Sequence, residues 1–358
     1  MRPQLEALRL KRVIIVGAGQ AGLAMGHALA RSGLKPQVDF TIIDADPTAD
    51  RSWNRRWHSL RLFTPALHSS LPGAPFPGSP SRYPRTDEVS DYLESYANQF
   101  GLAPKWGTRA DAVRANPHGH GLTLVTNFGE VTTHNVVAAT GPFAEPNLPS
   151  FAPRVRVDGK DLHSHSYTHP KQLPDGPVLI VGAGNTGRQL ARELAGSHQV
   201  TLAGGTPQLE LPQRLLGVDI FSWMSATGVL RIPARSALGR RLSRREVVIG
   251  ESLESLRSVG VRLKPRVVEA TGSTFYHEDG DATVAHSVLW ATGYRPGFGW
   301  LPEETRGRDG AIAQRRGETS IPGLYVLGLP WMHTRSSALL GGVGRDAARI
   351  ARMIGRRP

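Results

Sequence analysis

The sequence predicts an α/β protein with two domains, the second inserted in the first. Three observations carry this prediction. A strand, a glycine loop and a helix follow one another near the N-terminus, the same succession recurs near the middle of the chain, and a strand ending in Ala-Thr-Gly lies downstream of each copy. A strand that runs through Gly-x-Gly-x-x-Gly into an amphipathic helix is typical of the Rossmann-like dinucleotide-binding domain. The length of 358 residues suits two such domains.

The first unit spans residues 13–33 and contains Gly17, Gly19 and Gly22. The first glycine permits a sharp turn, the second lets the backbone approach a pyrophosphate, and the third lets the helix pack against the strand. A pyrophosphate then lies at the helix N-terminus, where backbone N–H groups are free. The next strand, residues 40–43, ends in Asp44, at about the distance expected for the acid that binds the ribose.

The second unit spans residues 178–195 and repeats the pattern. One nucleotide site suits a simple dehydrogenase, whereas two sites on one chain suit a flavoprotein, with FAD on the first and a nicotinamide cofactor on the second. The strand at 200–203 does not end in the acid that binds a free 2′-hydroxyl. Arg188, Arg192 and Arg214 are near enough in sequence to meet a 2′-phosphate, so the predicted cofactor is NADPH.

The predicted domains are residues 1–155 for FAD, 156–285 for NAD(P)H, and 286–358 for the second part of the FAD domain. The sequence also predicts a weakly ordered lead-in over residues 1–10 and a helix over residues 88–100, capped by Thr86. The proline-rich residues 60–80 are too rich in proline for a helix or a central strand and predict an ordered lining near the cofactor. A C-terminal strand and helix return to the first domain, with the helix N-terminus facing the flavin.

Candidate cofactor residues lie on both glycine loops and on the segments that follow them. For FAD they are Gly17, Gly19, Gln20, Ala21, Gly22, Asp44, Trp53, Leu60, Leu62, Val113, Thr140 and Gly141. For NADPH they are Gly182, Gly184, Asn185, Thr186, Gly187, Arg188, Arg214, Thr292 and Gly293. Two tryptophans, Trp53 and Trp57, either stack on the flavin ring or fill a seam between domains, and the sequence leaves both interpretations open.

Composition excludes several classes of protein. The chain has no cysteine, which excludes a disulfide framework, a thiolate metal site and a redox-active dithiol. The net charge of +13 is spread along the chain without a nucleic-acid-binding motif, so no nucleic-acid partner is expected. No apolar run approaches the roughly 20 residues that span a bilayer, and the first core strand begins at once, so no stable membrane insertion and a cytoplasmic location are expected. A homodimer is left open.

These motifs resemble the flavin-containing monooxygenases, most closely a bacterial branch of FAD- and NAD(P)H-dependent oxidoreductases. The resemblance covers both glycine loops, both Ala-Thr-Gly strands, the loop at residues 60–78 and the segment 323–346. It implies a glutathione-reductase-like flavoprotein architecture without a bound metal. It further implies a class B monooxygenase that uses NADPH and O2 to oxygenate the sulfur or nitrogen of a small molecule through a C4a-peroxyflavin.

The catalytic candidates follow from this resemblance. The family pattern F-x-G-x-x-x-H-x-x-x-(F/Y) is matched with valine in place of its first residue, at Val157, Gly159, His163 and Tyr167. The resemblance implies that His163 orders the seam near the nicotinamide cofactor; the alternative is a surface histidine. Many relatives place an Asn beside the flavin where this chain has Thr64, and often an Arg where it has Gly205. Arg335, before the C-terminal helix, completes the candidates.

Two other functions remain open at this point. The absent Asn keeps open an NAD(P)H-flavin oxidase or reductase that inserts no oxygen. Two intact glycine loops also suit a non-catalytic redox sensor that binds nucleotides and reports their state to a partner.

Overall fold

The computed structural model describes residues 2–48, 53–116, 121–205, 208–244 and 247–356. Within these ranges the α-helices are α1 (Arg2–Leu8), α2 (Gln20–Arg31), α3 (Thr86–Gln99), α4 (Asn185–Leu194), α5 (Ile220–Ala226), α6 (Ala237–Ser243), α7 (Leu253–Arg257) and α8 (Leu340–Gly355).

The strands fall into large parallel sheets and small accessory ones. In chain order they are β1 (Val13–Val16), β2 (Phe40–Ile43), β3 (Ala110–Ala115), β4 (Leu122–Thr126), β5 (Gly129–Thr133), β6 (Asn135–Ala138), β7 (Glu145–Pro146), β8 (Asp161–His163), β9 (Val178–Val181), β10 (Val200–Ala203), β11 (Leu209–Leu211), β12 (Arg214–Leu215), β13 (Val218–Asp219), β14 (Val247–Ile249), β15 (Arg262–Lys264), β16 (Val267–Thr271), β17 (Thr274–His277), β18 (Ala282–Val284), β19 (Ser287–Trp290), β20 (Tyr294–Arg295) and β21 (Leu324–Val326).

The first large sheet has the order β2-β1-β6-β21, with every pair parallel. Buried apolar side chains line all four of its strands, as expected for a sheet covered on both faces. Because β21 joins this sheet after the whole second domain, the second domain is inserted in the first. The predicted fold class is confirmed, and α8 packs on α2 as the return of the C-terminus requires.

The second large sheet has the order β15-β10-β9-β19-β8 and is also parallel. Its strand β19 begins at Ser287, so the second domain continues past residue 285, where the sequence placed its end. This finding corrects the predicted boundary. From sequence, the short run 287–290 could be a buried strand of either domain. Only its pairing with β9 assigns it to the sheet of the second domain.

The two domains are joined where their central strands end. Strand β7 follows the first Ala-Thr-Gly, β20 follows the second, and they pair antiparallel, with Glu145 opposite Arg295. Next to them the Asn147 N–H donates to the Gly293 carbonyl at 3.0 Å. The ends of the two central strands are therefore tied directly to each other.

Two local predictions are corrected. Residues 2–8 form helix α1, whose Leu8 is buried in the first core, rather than a weakly ordered lead-in. Thr86 is the first helical residue of α3 and not its cap; the cap is Arg85, whose N–H donates to the Glu88 carboxylate at 2.8 Å. The acid three residues after the cap therefore stabilises the helix start. Among the described residues no helix is long and apolar enough to cross a membrane.

Candidate functional site

The first glycine loop is built by close backbone contacts. Gly17 has φ +110°, and a Cβ there would lie 2.5 Å from the Ala139 carbonyl oxygen. A Cβ on Gly22 would lie 1.8 Å from the Gly17 carbonyl oxygen. Gly19 differs, because a Cβ there would meet no described atom within 4 Å. Packing therefore requires the outer two glycines, whereas the middle one keeps an open edge.

The second glycine loop repeats this construction. Gly182 has φ +108°, with a Cβ position 2.4 Å from the Ala291 carbonyl oxygen, and a Cβ on Gly187 would lie 1.8 Å from the Gly182 carbonyl oxygen. The supporting hydrogen bonds match as well: the Ala139 N–H donates to Val16 and the Ala291 N–H donates to Val181, both at 2.8 Å. Each Ala-Thr-Gly segment thus forms the floor of one glycine loop.

Both loops fit a pyrophosphate. Helices α2 and α4 begin after Gly19 and Gly184, carry no side-chain cap and have no acidic residue in the first turn. Their first N–H groups therefore face the loop without an internal acceptor, which is the arrangement that binds an anion. The floor of the first loop also contains the buried Thr140 hydroxyl, which has no hydrogen-bond partner among the described residues.

The predicted ribose acid is held in place by the backbone. Asp44 follows β2, and one carboxylate oxygen accepts a hydrogen bond from the Ala18 N–H at 2.6 Å. The other accepts from the Asp46 N–H at 2.9 Å. The carboxylate is therefore oriented beside the glycine loop, at the position from which such an acid reaches a ribose.

The other FAD candidates lie in several different surroundings. The Gln20 side chain donates to the Ala338 carbonyl at 2.7 Å and so links α2 to the segment before α8. Ala21 is buried beside Gly328. The remaining candidates are core residues: Val113, Trp53 and Leu62 pack in or against the first core, and Leu60 packs against the second. Gly141 follows Thr140 at the surface of the floor with φ +77°.

Trp57 fills the seam between the domains. Its side chain is 4% exposed and belongs to the core of the second domain, together with Tyr167. The neighbouring His58 N–H donates to the Thr168 carbonyl at 2.8 Å. Of the two interpretations that the sequence left open, the seam is therefore correct for Trp57.

Several NADPH candidates are already engaged with protein groups. The Asn185 amide donates to the Val247 carbonyl and accepts from the Ile249 N–H, at 3.0 and 2.9 Å, so it holds β14. Thr186 is half-buried on the same first helical turn. The Thr292 hydroxyl donates to the Asn147 carbonyl at 2.5 Å. These contacts shape the second loop and its floor.

The predicted 2′-phosphate arginines have other partners. Arg188 is 2% exposed; it donates to the Ala183 carbonyl at 2.8 Å and pairs with Glu210 at 2.7 Å. Arg214 lies on the β12–β13 hairpin and is hydrogen-bonded to Tyr83 of the first domain. The structure therefore does not bring Arg188 and Arg214 together at one anion site. Their contact with a nucleotide stays a prediction.

His163 is a buried seam residue. It is 7% exposed, one ring nitrogen lies 3.0 Å from the Gly293 carbonyl oxygen, and the other accepts from the His165 N–H at 3.1 Å. Burial lowers the pKa of His163 to about 4, so the ring is neutral at pH 7. A neutral ring with both nitrogens engaged suits ordering of the seam, and the surface alternative is excluded.

The two other catalytic candidates, Thr64 and Arg335, differ in whether their polar groups bond to other residues. The buried Thr64 hydroxyl accepts a hydrogen bond from the Ser69 hydroxyl at 2.9 Å. Arg335 is half-buried, with its guanidinium 5.9 Å from the centre of the Trp331 ring. It makes no hydrogen bond or ion pair with any described residue, and burial lowers its pKa.

A segment of the second domain covers residues 60–84. This cover segment, residues 208–244, belongs to the second domain but packs on the first: Phe221 lies over Phe63, with ring centres 5.8 Å apart and planes 15° apart. Leu339, at the start of α8, packs on the same cluster. Polar contacts hold its edges, from Gln213 to the Phe63 carbonyl, Tyr83 to Asp219 and His68 to Ser222.

Comparison with known proteins agrees with this construction. A model of the pyridine nucleotide-disulphide oxidoreductase family matches residues 14–223. The chain is 38% identical over 339 residues to an uncharacterized CzcO-like oxidoreductase of Geobacillus kaustophilus, covering 94% of this chain and 95% of that one. It is 26% identical over 383 residues to the rice (Oryza sativa) indole-3-pyruvate monooxygenase YUCCA1, covering 95% and 90%.

A solved structure gives the same result. The flavin-containing monooxygenase from Stenotrophomonas maltophilia superposes with a TM-score of 0.78 at 28% identity, over 96% of this chain and 97% of that one. The resemblance predicted from the motifs is thereby confirmed. The chain belongs to the pyridine nucleotide-disulphide oxidoreductase family, as a flavin-monooxygenase-like enzyme without the cysteines of a dithiol.

Proposed function

We propose that this protein is an FAD- and NADPH-dependent monooxygenase that transfers one oxygen atom of O2 to the sulfur or nitrogen of a small molecule. One observation carries the proposal: two glycine loops of the same construction have their floors tied together by the β7–β20 pair. FAD and NADPH together supply hydride transfer and oxygen activation. The chain supplies binding, orientation and shelter from water.

The first glycine loop would hold FAD. The free N–H groups after Gly19 would bind the pyrophosphate, and the oriented Asp44 carboxylate would bind the ribose. The start of α8 would then lie close to this cofactor, because Gln20, on the first turn of α2, donates to the Ala338 carbonyl next to that start. A helix N-terminus favours negative charge on the reduced ring.

The second glycine loop would hold NADPH through the N–H groups after Gly184. The Asn147–Gly293 hydrogen bond ties its floor to the first domain, and the His163–Gly293 contact holds it within the second. This supports a nicotinamide that reaches the neighbouring flavin without a large domain movement.

The cover segment supports oxygen transfer over simple oxidation. Phe63, Phe221 and Leu339 form an apolar cluster where the cover segment meets the start of α8. Keeping water away from the flavin would slow the unproductive release of hydrogen peroxide. Burial lowers the pKa of both His68 and His163, which disfavours the protonated ring that could act as an acid. A soft sulfur or nitrogen nucleophile needs no such acid.

The test measures how much of the O2 consumed ends in product and how much in H2O2. The FAD-loaded protein is supplied with NADPH and O2, with or without thioanisole or trimethylamine, while NADPH consumed, H2O2 released and oxygenated product are measured. We expect a substrate to lower the H2O2 formed per NADPH and to yield sulfoxide or N-oxide in matching amount. Conversion of all NADPH to H2O2 with every substrate would instead support the flavin oxidase. Bound FAD without NADPH turnover would support the redox sensor.

A further inference from the structure

The ends of strands β2 and β10 occupy equivalent places in the two domains. Val16 of β1 pairs with Ile43 of β2, and in the same register Val181 of β9 pairs with Ala203 of β10. The residue after each strand is therefore the counterpart of the other, which makes Gly204 the counterpart of Asp44. Their backbones agree: the Asp44 N–H donates to Lys105 at 3.1 Å, and the Gly204 N–H to Lys264 at 3.0 Å.

An acid that binds a free 2′-hydroxyl has no room in the second domain. A Cβ on Gly204 would lie 2.9 Å from the Ala183 Cβ, closer than such atoms approach. In the first domain the same place admits the Asp44 side chain, whose carboxylate accepts from the Ala18 N–H. The second domain thus lacks the device that selects a nucleotide without a 2′-phosphate.

A cation lies beside this place instead. The next residue, Gly205, is exposed, and within 4 Å of its Cβ position the described structure has one atom, the Arg266 Cδ at 3.9 Å. Arg266 follows β15, the strand that pairs with β10. Its exposed guanidinium forms no hydrogen bond or ion pair with a described residue. The nearby Arg188, in contrast, is paired with Glu210, which leaves that carboxylate neutralised.

We propose that Arg266 binds the 2′-phosphate and selects NADPH over NADH. The inference rests on the proposed function only in placing the nicotinamide nucleotide on the second glycine loop. Gly204 and Gly205 place no side chain at the end of β10, and the Arg266 side chain, which follows the neighbouring strand β15, has its Cδ 3.9 Å from the Cβ position of Gly205. An arginine is well suited to this contact because its planar donors match phosphate oxygens. Arg266 is separated from the glycine loop by about 80 residues of sequence, so only the sheet order brings it there.

The test uses fragments of the cofactor and the FAD-loaded protein. Affinities for 2′-AMP and 5′-AMP are measured by calorimetry for the wild type, Arg266→Gln, Arg266→Lys and the control Arg262→Gln, which removes another exposed arginine near by. We expect Arg266→Gln to weaken 2′-AMP binding about 10- to 100-fold, the loss expected for a hydrogen-bonded charge pair, and to leave 5′-AMP unchanged. Arg266→Lys restores part of the affinity, and the control matches the wild type.

The KM values for NADPH and NADH give a second measurement. Arg266→Gln should raise the first by a similar factor and leave the second unchanged. Unchanged 2′-AMP affinity in Arg266→Gln would overturn the proposal, and so would an equal loss for both nucleotides. Because neither fragment contains nicotinamide, this result is independent of oxygen transfer, and a failure here is distinguishable from failure of the proposed function.

Discussion

The middle glycine of the first loop allows cofactor binding to be separated from folding. Gly19 has φ −72°, which alanine adopts freely, and its Cβ position has no described atom within 4 Å. Gly19→Ala should therefore fold normally and gain up to about 1 kcal/mol, because alanine restricts the unfolded chain. The new methyl group, however, would occupy the space through which a pyrophosphate approaches the helix N-terminus. Losing two charge-assisted hydrogen bonds at about 1.5 kcal/mol each weakens FAD binding roughly 100-fold or more.

The matched variant is Gly22→Ala, where the same methyl group would lie 1.8 Å from the Gly17 carbonyl oxygen. That contact cannot relax without moving helix or strand, so this variant should be destabilised by several kcal/mol. Thermal unfolding, the ratio of flavin to protein absorbance after purification, and FAD titration of the apoprotein measure both effects. A Gly19→Ala protein that stays yellow, with wild-type affinity for FAD, would refute the placement of the pyrophosphate at this loop.

Three further predictions concern the seam, the cover segment and the loop before α8. Because the folded-state pKa of His163 is about 4, below the unfolded value near 6.5, the unfolded chain binds more protons between these values. The contribution of His163 to the free energy of unfolding is complete above pH 6.5 and falls by about 3 kcal/mol as the pH drops to 4. Chemical denaturation at a series of pH values should show a smaller loss in His163→Gln. Phe221→Ala removes the ring that stacks on Phe63 and should about double the H2O2 released per NADPH consumed. An unchanged ratio of H2O2 to NADPH would contradict the idea that this cluster keeps water from the flavin. Ser337→Ala removes the hydroxyl that is hydrogen-bonded to the buried Asp346 carboxyl. The free energy of unfolding should fall by about 1 to 3 kcal/mol. A smaller loss would mean that water replaces the hydroxyl.

The sequence predicted best what depends on neighbouring residues. The glycine loops and their strands follow largely from local sterics, because Gly17 and Gly182 have positive φ and a Cβ on Gly22 or Gly187 would meet a carbonyl oxygen of its own loop. The predictions failed where pairing over a long distance decides. Strand β19 carries no sign of its sheet, and the α1 helix is stabilised by the burial of Leu8 in a core formed by later segments.

Charged residues of the candidate site were the hardest to place. Arg188 is close to the second glycine loop in sequence, but its buried guanidinium pairs with Glu210 and donates to the Ala183 carbonyl. Arg266 is distant in sequence and lies beside Gly205 because β15 pairs with β10. Proximity along the chain therefore gave no indication of Arg266, since the sheet order brings together strands that are about 60 residues apart.

The absent Asn of the oxygenating relatives can now be weighed against the structure. The Gln213 side chain places an amide beside the loop at Phe63 and Thr64, where those relatives have the Asn. It donates to the Phe63 carbonyl and to the Asp219 carboxylate, both at 3.0 Å. Both of its donors are thereby engaged in holding the cover segment, and the Thr64 hydroxyl is bonded to Ser69. The Gln213 amide is therefore no free donor for activated oxygen, whereas the Thr64 hydroxyl only accepts from Ser69 and donates to no described residue. If this enzyme oxygenates a substrate, two features are open to test: the Thr64 proton, and the exclusion of water from the flavin by the cluster around Phe221. The fraction of NADPH converted to H2O2 by Phe221→Ala measures the second of them and distinguishes it from simple oxidase activity.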